Sequence, residues 1–251
     1  MVPRQSILRM ATDRLYWTEP RRQSFEATIT AHVGDGVVLD RTAFYPTGGG
    51  QPGDTGALEW NGTTLPVTDV RTSDGIVHIV EGERPPVDTT VTGRIDWDRR
   101  WAHMRYHSAQ HLLSAVLLDR FDAQTVGNQL YADRARLDCE HERFSDTDLE
   151  EIESAVSEHV HSAYEVTTEV LSRDGAESVL DPRRTRLERI PESVDPIRIV
   201  RIDDIDATAC AGTHVARTDE IGSFQITGRE TGGAGRERIR FVLDDQESES
   251  P

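Results

Sequence analysis

Two short patterns of metal-binding residues, far apart in the sequence, constrain the fold of this chain most. His107 and His111 are four residues apart in one segment, and Cys210 and His214 are four residues apart in another. On a helix this spacing places both side chains of a pair on one face, close enough to share an ion. Three imidazoles and one thiolate suit a tetrahedral, borderline-soft metal, and we predict one Zn²⁺ per chain. The chain must then fold so that the two segments meet.

A simpler interpretation stays open, because a lone His-x-x-x-His pattern is weak evidence for a metal. His103 extends the first pattern by one more helical turn, but only two neighbouring histidines are expected to reach one ion. In the simpler interpretation Cys210 is a buried core residue and the histidines are partly exposed without a metal. The presence of both patterns favours the metal site, and His103 is assigned no role.

The charge composition indicates an unusual environment. The net charge is −17, and all 28 basic residues are arginine. An acidic chain without lysine is typical of adaptation to very high salt, where a strongly hydrated surface keeps a protein dissolved. A GC-rich genome, which also favours arginine codons, is the alternative. The two cysteines exclude a disulfide scaffold, and no apolar run is long enough to span a membrane, so we expect a cytoplasmic protein without membrane partners.

The pattern of apolar residues predicts an α+β protein with an N-terminal small β-barrel. In residues 1–95, short β-branched segments alternate with glycine, aspartate and asparagine turns at the spacing of a barrel. Residues 96–243 mix helices and strands in an irregular order, which favours an α+β zinc-binding domain. The helices are expected at 98–120 and after Ser145 or Asp146, and the strands at 135–139, 166–171, 197–202, 224–227 and 239–243. The acidic residues 244–251 are expected to be a disordered tail.

A glycine-rich loop and three arginine clusters complete the candidate features. Three consecutive glycines at 48–50 permit the close approach of a ligand or another segment, although a wide turn between strands explains them equally well. The clusters include Arg99, Arg100 and Arg105; Arg183, Arg184, Arg186 and Arg189; and Arg236, Arg238 and Arg240. Each cluster is a candidate for phosphate contacts, and solvated ion pairs are the commoner explanation.

In combination, these motifs resemble the editing domain of alanyl-tRNA synthetases. The matching runs are 105–113, 136–138, 206–215, 218–224 and 236–240, preceded by a glycine loop at 44–56 that resembles the signature of the barrel before that domain. The resemblance extends from about residue 25 to 243. A class II synthetase needs several hundred more residues, so the chain is expected to resemble the free-standing AlaX editing proteins.

The resemblance implies a hydrolase that removes serine, or glycine, from wrongly charged tRNA(Ala) at its acceptor end. It implies that His107, His111, Cys210 and His214 are the zinc ligands. It also implies catalytic roles for Gln110 and Asp206, with Asp206 a candidate partner of a ligating histidine. The expected substrate-binding residues are Gly48, Gly49, Gly50, Gln51, Arg105, Thr213, Arg236 and Arg238. Gln110 replaces the usual threonine and Ala211 the usual glycine, and Gln110 leaves the choice between serine and glycine open.

Three roles for zinc and two other classes of function stay open at this point. In the first role zinc polarises the ester carbonyl, in the second it lowers the pKa of water, and in the third it holds the amino group of the substrate. Four protein ligands resemble a closed structural site. The other classes are a zinc-stabilised tRNA-binding module without turnover and a zinc hydrolase of small esters or amides. The first protects a mischarged ester, and the second is indifferent to the identity of the tRNA. The oligomeric state does not follow from the sequence.

Overall fold

The computed structural model describes residues 12–73, 75–233 and 235–244. The predicted acidic tail lies outside these residues except for Asp244. The chain divides into two compact units, formed by Met1–Thr47 with Gly53–Trp97 and by Gly48–Pro52 with Asp98–Pro251. Five residues of the glycine-rich loop, Gly48–Pro52, therefore belong to the second unit.

The first unit is built around a closed six-stranded barrel. The barrel order is β2-β3-β7-β6-β5-β8, with all neighbouring strands antiparallel. The elements are β1 Asp13–Arg14, α1 Leu15–Thr18, β2 Ser24–Val33, β3 Gly36–Leu39, β4 Arg41–Thr42, β5 Gly56–Trp60, β6 Thr63–Ser73, β7 Gly75–Val80 and β8 Thr90–Ile95. Strands β1 and β4 form a separate parallel pair.

The barrel closes because alternate residues of its strands are apolar. Phe25, Ala27 and Ile29 of β2 point inward, and the residues between them face outward or are half-buried. Phe44 and Leu58 are fully buried in the same apolar core. This two-residue period is what a half-buried strand requires, and a closed sheet leaves no edge strand unpaired.

The second unit contains helices and two antiparallel sheets. Its elements are α2 Trp97–Phe121, β9 Thr125–Leu130, β10 Ala135–Glu140, α3 Asp146–His161, β11 Val166–Leu171, α4 Arg173–Val179, β12 Ile197–Ile202, β13 Asp206–Ala209, β14 Ser223–Thr231 and β15 Arg236–Asp244. One sheet has the order β14-β15-β10-β9, and the other has the order β11-β12-β13. Short 3-10 helices span Leu187–Arg189 and Thr218–Ile221.

The central helix α2 is buried along most of its length. Its buried side chains include apolar residues such as Leu112 and Leu113 and polar ones such as His107 and Gln110. A helix buried on all sides is usually apolar on all sides, so this polar content marks a functional part of the molecule.

The second long helix, α3, is an ordinary amphipathic helix. It begins with a capping box, in which the Asp148 backbone N–H donates to Ser145 Oγ and the Ser145 backbone N–H donates to the Asp148 carboxylate. Such a cap contributes about 1 kcal/mol to helix stability. The barrel near the N-terminus and the mixed second unit confirm the predicted α+β fold class. No helix of the described residues is long and apolar enough to cross a membrane.

Candidate metal centre

The structure brings the two predicted ligand pairs together in the second unit. His107 and His111 lie on one face of α2, and their ring centroids are 5.2 Å apart. Cys210 Sγ lies 3.5 Å from His107 Nε2 and 3.4 Å from His214 Nε2. The candidate ligand atoms of all four residues lie within 4.8 Å of one another, so the group can hold one metal ion.

The second ligand pair is not on a helix, contrary to the helical interpretation of its spacing. Cys210 and His214 lie in an irregular loop that follows β13. The Gly212 backbone N–H donates to Cys210 Sγ at 3.3 Å, which folds the loop back toward the sulfur. A Cβ on Gly212 would lie 2.1 Å from His107 Cε1, so only glycine allows the loop to pass this close to the ring.

A buried aspartate orients the second histidine. The Nδ1 of His111 is 2.7 Å from Asp206 Oδ2, and the Asp206 side chain is fully buried. A carboxylate that accepts from Nδ1–H leaves Nε2 free to bind a metal. Burial acts to lower the pKa of His111, but the hydrogen bonds and charges of Asp206 and Cys210 outweigh it and raise this pKa to about 9 in the metal-free protein.

Arg184 in turn fixes Asp206. Its guanidinium donates to Asp206 Oδ1 through Nε at 2.9 Å and through Nη2, and to Ser114 Oγ at 2.5 Å. Thr208 Oγ1 also donates to the carboxylate. Burial acts to raise the pKa of Asp206, but His111 and Arg184 hold it below its ordinary value. Arg184 was predicted only as part of a possible phosphate-binding cluster, and the structure directs it inward.

The third histidine and the cysteine complete the electrostatics of the centre. His214 Nδ1 lies 3.2 Å from Ser108 Oγ, which also accepts from the Val215 backbone N–H. Burial, together with nearby His107, lowers the pKa of His214 to about 3. Burial acts to raise the pKa of the Cys210 thiol, but His107 and His214 outweigh it and hold this pKa well below its ordinary value. The charge pattern therefore favours a thiolate at Cys210, which is the form of cysteine that binds a metal.

Arg198 supports the loop that carries the cysteine, and it was not among the predicted site residues. Its side chain is buried, and Nη1 donates to the carbonyls of Cys210 at 2.8 Å and Gly212 at 3.0 Å. It alternates with Ile197 and Ile199 on a strand that reads as apolar core. A charged residue in such a run is the signal that reveals it, because buried arginines are rare without a structural or functional partner.

The two predicted catalytic residues lie in the same unit as this centre. Gln110 is buried on α2, and its Oε1 accepts from Asn128 Nδ2 at 3.3 Å. Asp206 contacts His111, as described above. His103, one turn before His107, is fully buried, and neither ring nitrogen has a hydrogen-bond partner among the described residues. Burial and the charges of Arg99 and Arg100 lower its pKa to about 3.

The predicted substrate-binding residues fall into two groups. Gln51 and Thr213 are buried and bonded to each other beside His107, and Gly50 O accepts from the Leu130 backbone N–H. Gly48 and Gly49 belong to the same turn as Gln51, whereas the three arginines have other partners in the unit. Arg105 donates to the carbonyls of Ile221 and Asp244. On β15, Arg238 donates to the Asp138 carboxylate, whose pKa it lowers, and Arg236 is exposed two residues before it.

Comparison with known proteins identifies the family. A family model described as tRNA synthetases class II (A) matches residues 10–99, and one described as threonyl and alanyl tRNA synthetase second additional domain matches residues 197–240. The alanine–tRNA ligase of Pyrococcus abyssi is 42% identical over 236 residues, which cover 92% of this chain and 26% of that protein. The chain thus spans about a quarter of the length of such ligases.

Shorter relatives match over their whole length. The alanyl-tRNA editing protein AlaX-M of Methanosarcina barkeri is 37% identical over 242 residues, covering 93% of this chain and 100% of that protein. The protein of the same name from Methanosarcina mazei is 36% identical and is covered over 98% of its length. The chain therefore belongs to the AlaX-M family of alanyl-tRNA editing proteins.

Proposed function

We propose that this chain is a zinc-dependent hydrolase that removes serine, or glycine, from mischarged tRNA(Ala). Water adds to the ester that links the amino acid to the terminal ribose, and the products are the free amino acid and tRNA. The reaction consumes no ATP. The observation that carries the proposal is the convergence of three imidazoles and one thiolate in a member of the alanyl-tRNA editing family.

Zinc is the metal that the geometry favours. Zinc–nitrogen and zinc–sulfur bonds of about 2.0–2.1 Å and 2.3 Å place the two ligand atoms about 3.5 Å apart at a tetrahedral angle. The distances from Cys210 Sγ to His107 Nε2 and His214 Nε2 are 3.5 and 3.4 Å. His107, His111, Cys210 and His214 would hold the ion, and the thiolate favours zinc over magnesium or calcium.

The need for such an enzyme follows from the limits of binding. A pocket shaped for alanine rejects neither the smaller glycine nor serine, which adds one hydroxyl, by a large factor. A second site that hydrolyses the wrong ester restores accuracy.

The chain's own residues would orient the reaction as follows. When bound, zinc supplies a Lewis acid for the ester or an anchor for the amino group of the substrate. Cys210 is half-buried whereas the three histidines are buried, so the substrate approaches from the cysteine side. Gln110 adjoins His111 in the chain and contributes an amide to the amino-acid pocket. Asp206 is occupied by His111, Arg184 and Thr208, so its part in catalysis is to orient His111.

The acceptor end of the tRNA is the proposed partner. We assign Gly48, Gly49, Gly50 and Thr213 to the wall around the reacting ester, and Arg236 and Arg238 to contacts with the RNA. Arg105 donates to the Ile221 carbonyl, so we assign it a role in holding the backbone there rather than a contact with the RNA. Phosphate contacts weaken steeply with salt, so a protein of net charge −17 in molar salt must rely on shape, stacking and hydrogen bonds.

A cytoplasmic location and adaptation to high salt belong to the same proposal. The far-UV circular dichroism signal is expected to fall when salt is removed, because the acidic surface then repels itself. A signal that persists in dilute buffer contradicts adaptation to high salt and favours the explanation from codon composition.

The test is the release of labelled serine from seryl-tRNA(Ala) in molar salt, with and without a zinc chelator. We expect rapid release that the chelator abolishes and that added zinc restores. A second candidate, a zinc-stabilised tRNA-binding module, is favoured by the four protein ligands, which resemble a closed site. That candidate predicts tight tRNA binding and no release by the folded, zinc-loaded protein. Equal release from small model esters would instead indicate a general esterase.

A further inference from the structure

Gln51 is placed beside the metal centre by a tight turn in the glycine-rich loop. The Gln51 N–H donates to Gly48 O at 2.9 Å, and the Gly48 N–H donates to Gln51 O at 3.1 Å. Gly49 and Gly50 have φ of 57° and 84°. A two-residue turn with positive φ at both central positions favours glycine or asparagine. The two glycines therefore allow the turn that sets the position of the Gln51 backbone.

The side-chain amide of Gln51 is engaged on both of its polar atoms. Oε1 lies 2.9 Å from His107 Nδ1 and accepts from the Thr213 backbone N–H at 3.1 Å. Nε2 donates to Thr213 Oγ1 at 2.9 Å. Gln51 itself is 1% exposed. A residue this buried, with its amide held by the protein, has little capacity left for a substrate.

These contacts determine the tautomer of His107. The amide atom that accepts from the Thr213 N–H must be the oxygen, so the Nδ1 of His107 must carry the hydrogen that points to it. Nε2 then keeps its lone pair and lies 3.5 Å from Cys210 Sγ. A metal-binding histidine usually has its other nitrogen fixed in this way.

We propose that Gln51 is a positioning residue of the metal centre, which fixes the ring and tautomer of His107. Through Thr213, it ties the α2 ligand to the loop that carries Cys210 and His214. The inference rests on the metal centre of the proposed function and reassigns Gln51 from the substrate to the metal. The fit is close, since a Cβ on Gly212 would lie 3.0 Å from Gln51 Oε1.

Zinc affinity, measured by competition with a chromophoric chelator, tests this assignment. Gln51→Met keeps the length of the side chain and removes both hydrogen-bonding atoms, and we expect it to lower zinc affinity by about 10–100-fold. Gln51→Glu keeps an acceptor for His107 and is expected to stay within about threefold of the wild type. Gln225→Met, at an exposed position of β14, is the matched control and should leave the zinc affinity unchanged. Unchanged affinity in Gln51→Met would overturn the inference.

The tautomer of His107 provides a second measurement that needs no variant. Long-range ¹H–¹⁵N correlation spectra of the zinc-loaded wild-type protein should show His107 protonated at Nδ1 and bound through Nε2. Binding through Nδ1 would overturn the inference even if Gln51→Met does not fold.

Steady-state kinetics separate this inference from the proposed function. An increase in KM in Gln51→Met with unchanged zinc affinity would assign Gln51 to the substrate and overturn the inference alone. Zinc binding that depends on Gln51, in a protein that releases no amino acid from tRNA, would overturn the proposed function and support the inference.

Discussion

The barrel and the second unit use buried histidines in opposite ways. In the barrel, His78 lies among apolar residues, where its Nδ1–H donates to the Val37 carbonyl and its Nε2 accepts from the Thr42 hydroxyl. Burial lowers its pKa to about 4, so it stays neutral. In the second unit, His107, His111 and His214 face a thiolate, and each has an acceptor at Nδ1. Burial alone thus keeps a histidine neutral, whereas fixed acceptors and a nearby thiolate suit a histidine to bind a metal.

The largest effect is expected from removing the thiolate of the metal centre. Cys210→Ala removes the thiolate, and we expect it to abolish both zinc binding and deacylation. Its matched control is Cys139→Ala, which removes the buried thiol of β10 and should keep both properties. Zinc content measured on the purified proteins, with the deacylation rate, checks this. Turnover by a metal-free Cys210→Ala protein would show that the second unit does not use its histidines as proposed.

The next expected effect concerns the barrel histidine, His78, and the pH dependence of stability. The pKa of His78 falls from 6.5 when unfolded to about 4 when folded, so the unfolded state binds more protons below pH 6.5. Stability from this group is therefore complete above pH 6.5 and decreases as the pH falls toward 4, by up to about 3 kcal/mol.

His78→Gln removes this dependence. Urea unfolding of both proteins in molar salt at pH 7 and pH 4.5 measures the difference. A wild-type stability that decreases no more than that of His78→Gln would contradict the account of the barrel histidine. Zinc affinity at pH 7 should be the same in both proteins.

A smaller effect is expected for the acceptor behind His111. Asp206→Asn can still accept a hydrogen bond but loses the charge that Arg184 balances, and we expect zinc affinity to fall by about 10–100-fold. Asp204→Asn, on the exposed turn before β13, is the matched control and should have no effect. Chelator competition measures both, and equal affinities would remove Asp206 from the metal centre.

The sequence predicted the parts of the fold that depend on regular patterns. The barrel, α2, α3 and strands such as β12 follow apolar periods that are visible in the chain. Strand β9 was not predicted, because Gly127 and Asn128 interrupt its apolar pattern. Strand β13 was not predicted either, because it is only four residues long. Helix α4 contains a glycine and was also not predicted. These elements depend on their partners in the sheet or core rather than on local preference.

The candidate site shows the same division between features that local patterns predict and features that depend on distant partners. The four candidate ligands were predicted as one group from two short patterns, and they do lie together, although the helix assumed for Cys210 and His214 was wrong. Arg184 and Arg198 act through hydrogen bonds between segments that are distant in the chain, and Gln51 reaches His107 across 56 positions. No local pattern encodes such contacts, so the roles of these three residues emerged only from the three-dimensional structure, whereas Asp206 was already predicted as a partner of a ligating histidine.

The smallest expected effect concerns specificity. Gln110 fills a buried position beside His111, and Gln110→Thr makes room there and supplies a hydroxyl. We expect the ratio of serine to glycine release to rise by up to about tenfold, with zinc affinity unchanged. Parallel assays with both mischarged tRNAs measure this ratio. A ratio within twofold of the wild type would place the specificity of the site elsewhere.

The most direct test of the central claim is a zinc titration of the metal-free protein, followed by the rate of serine release from seryl-tRNA(Ala). If the three histidines and Cys210 hold a required ion, the rate rises from near zero in proportion to added zinc and levels off at one zinc per chain. Full activity before any zinc is added, in protein verified to be metal-free and folded, would contradict it.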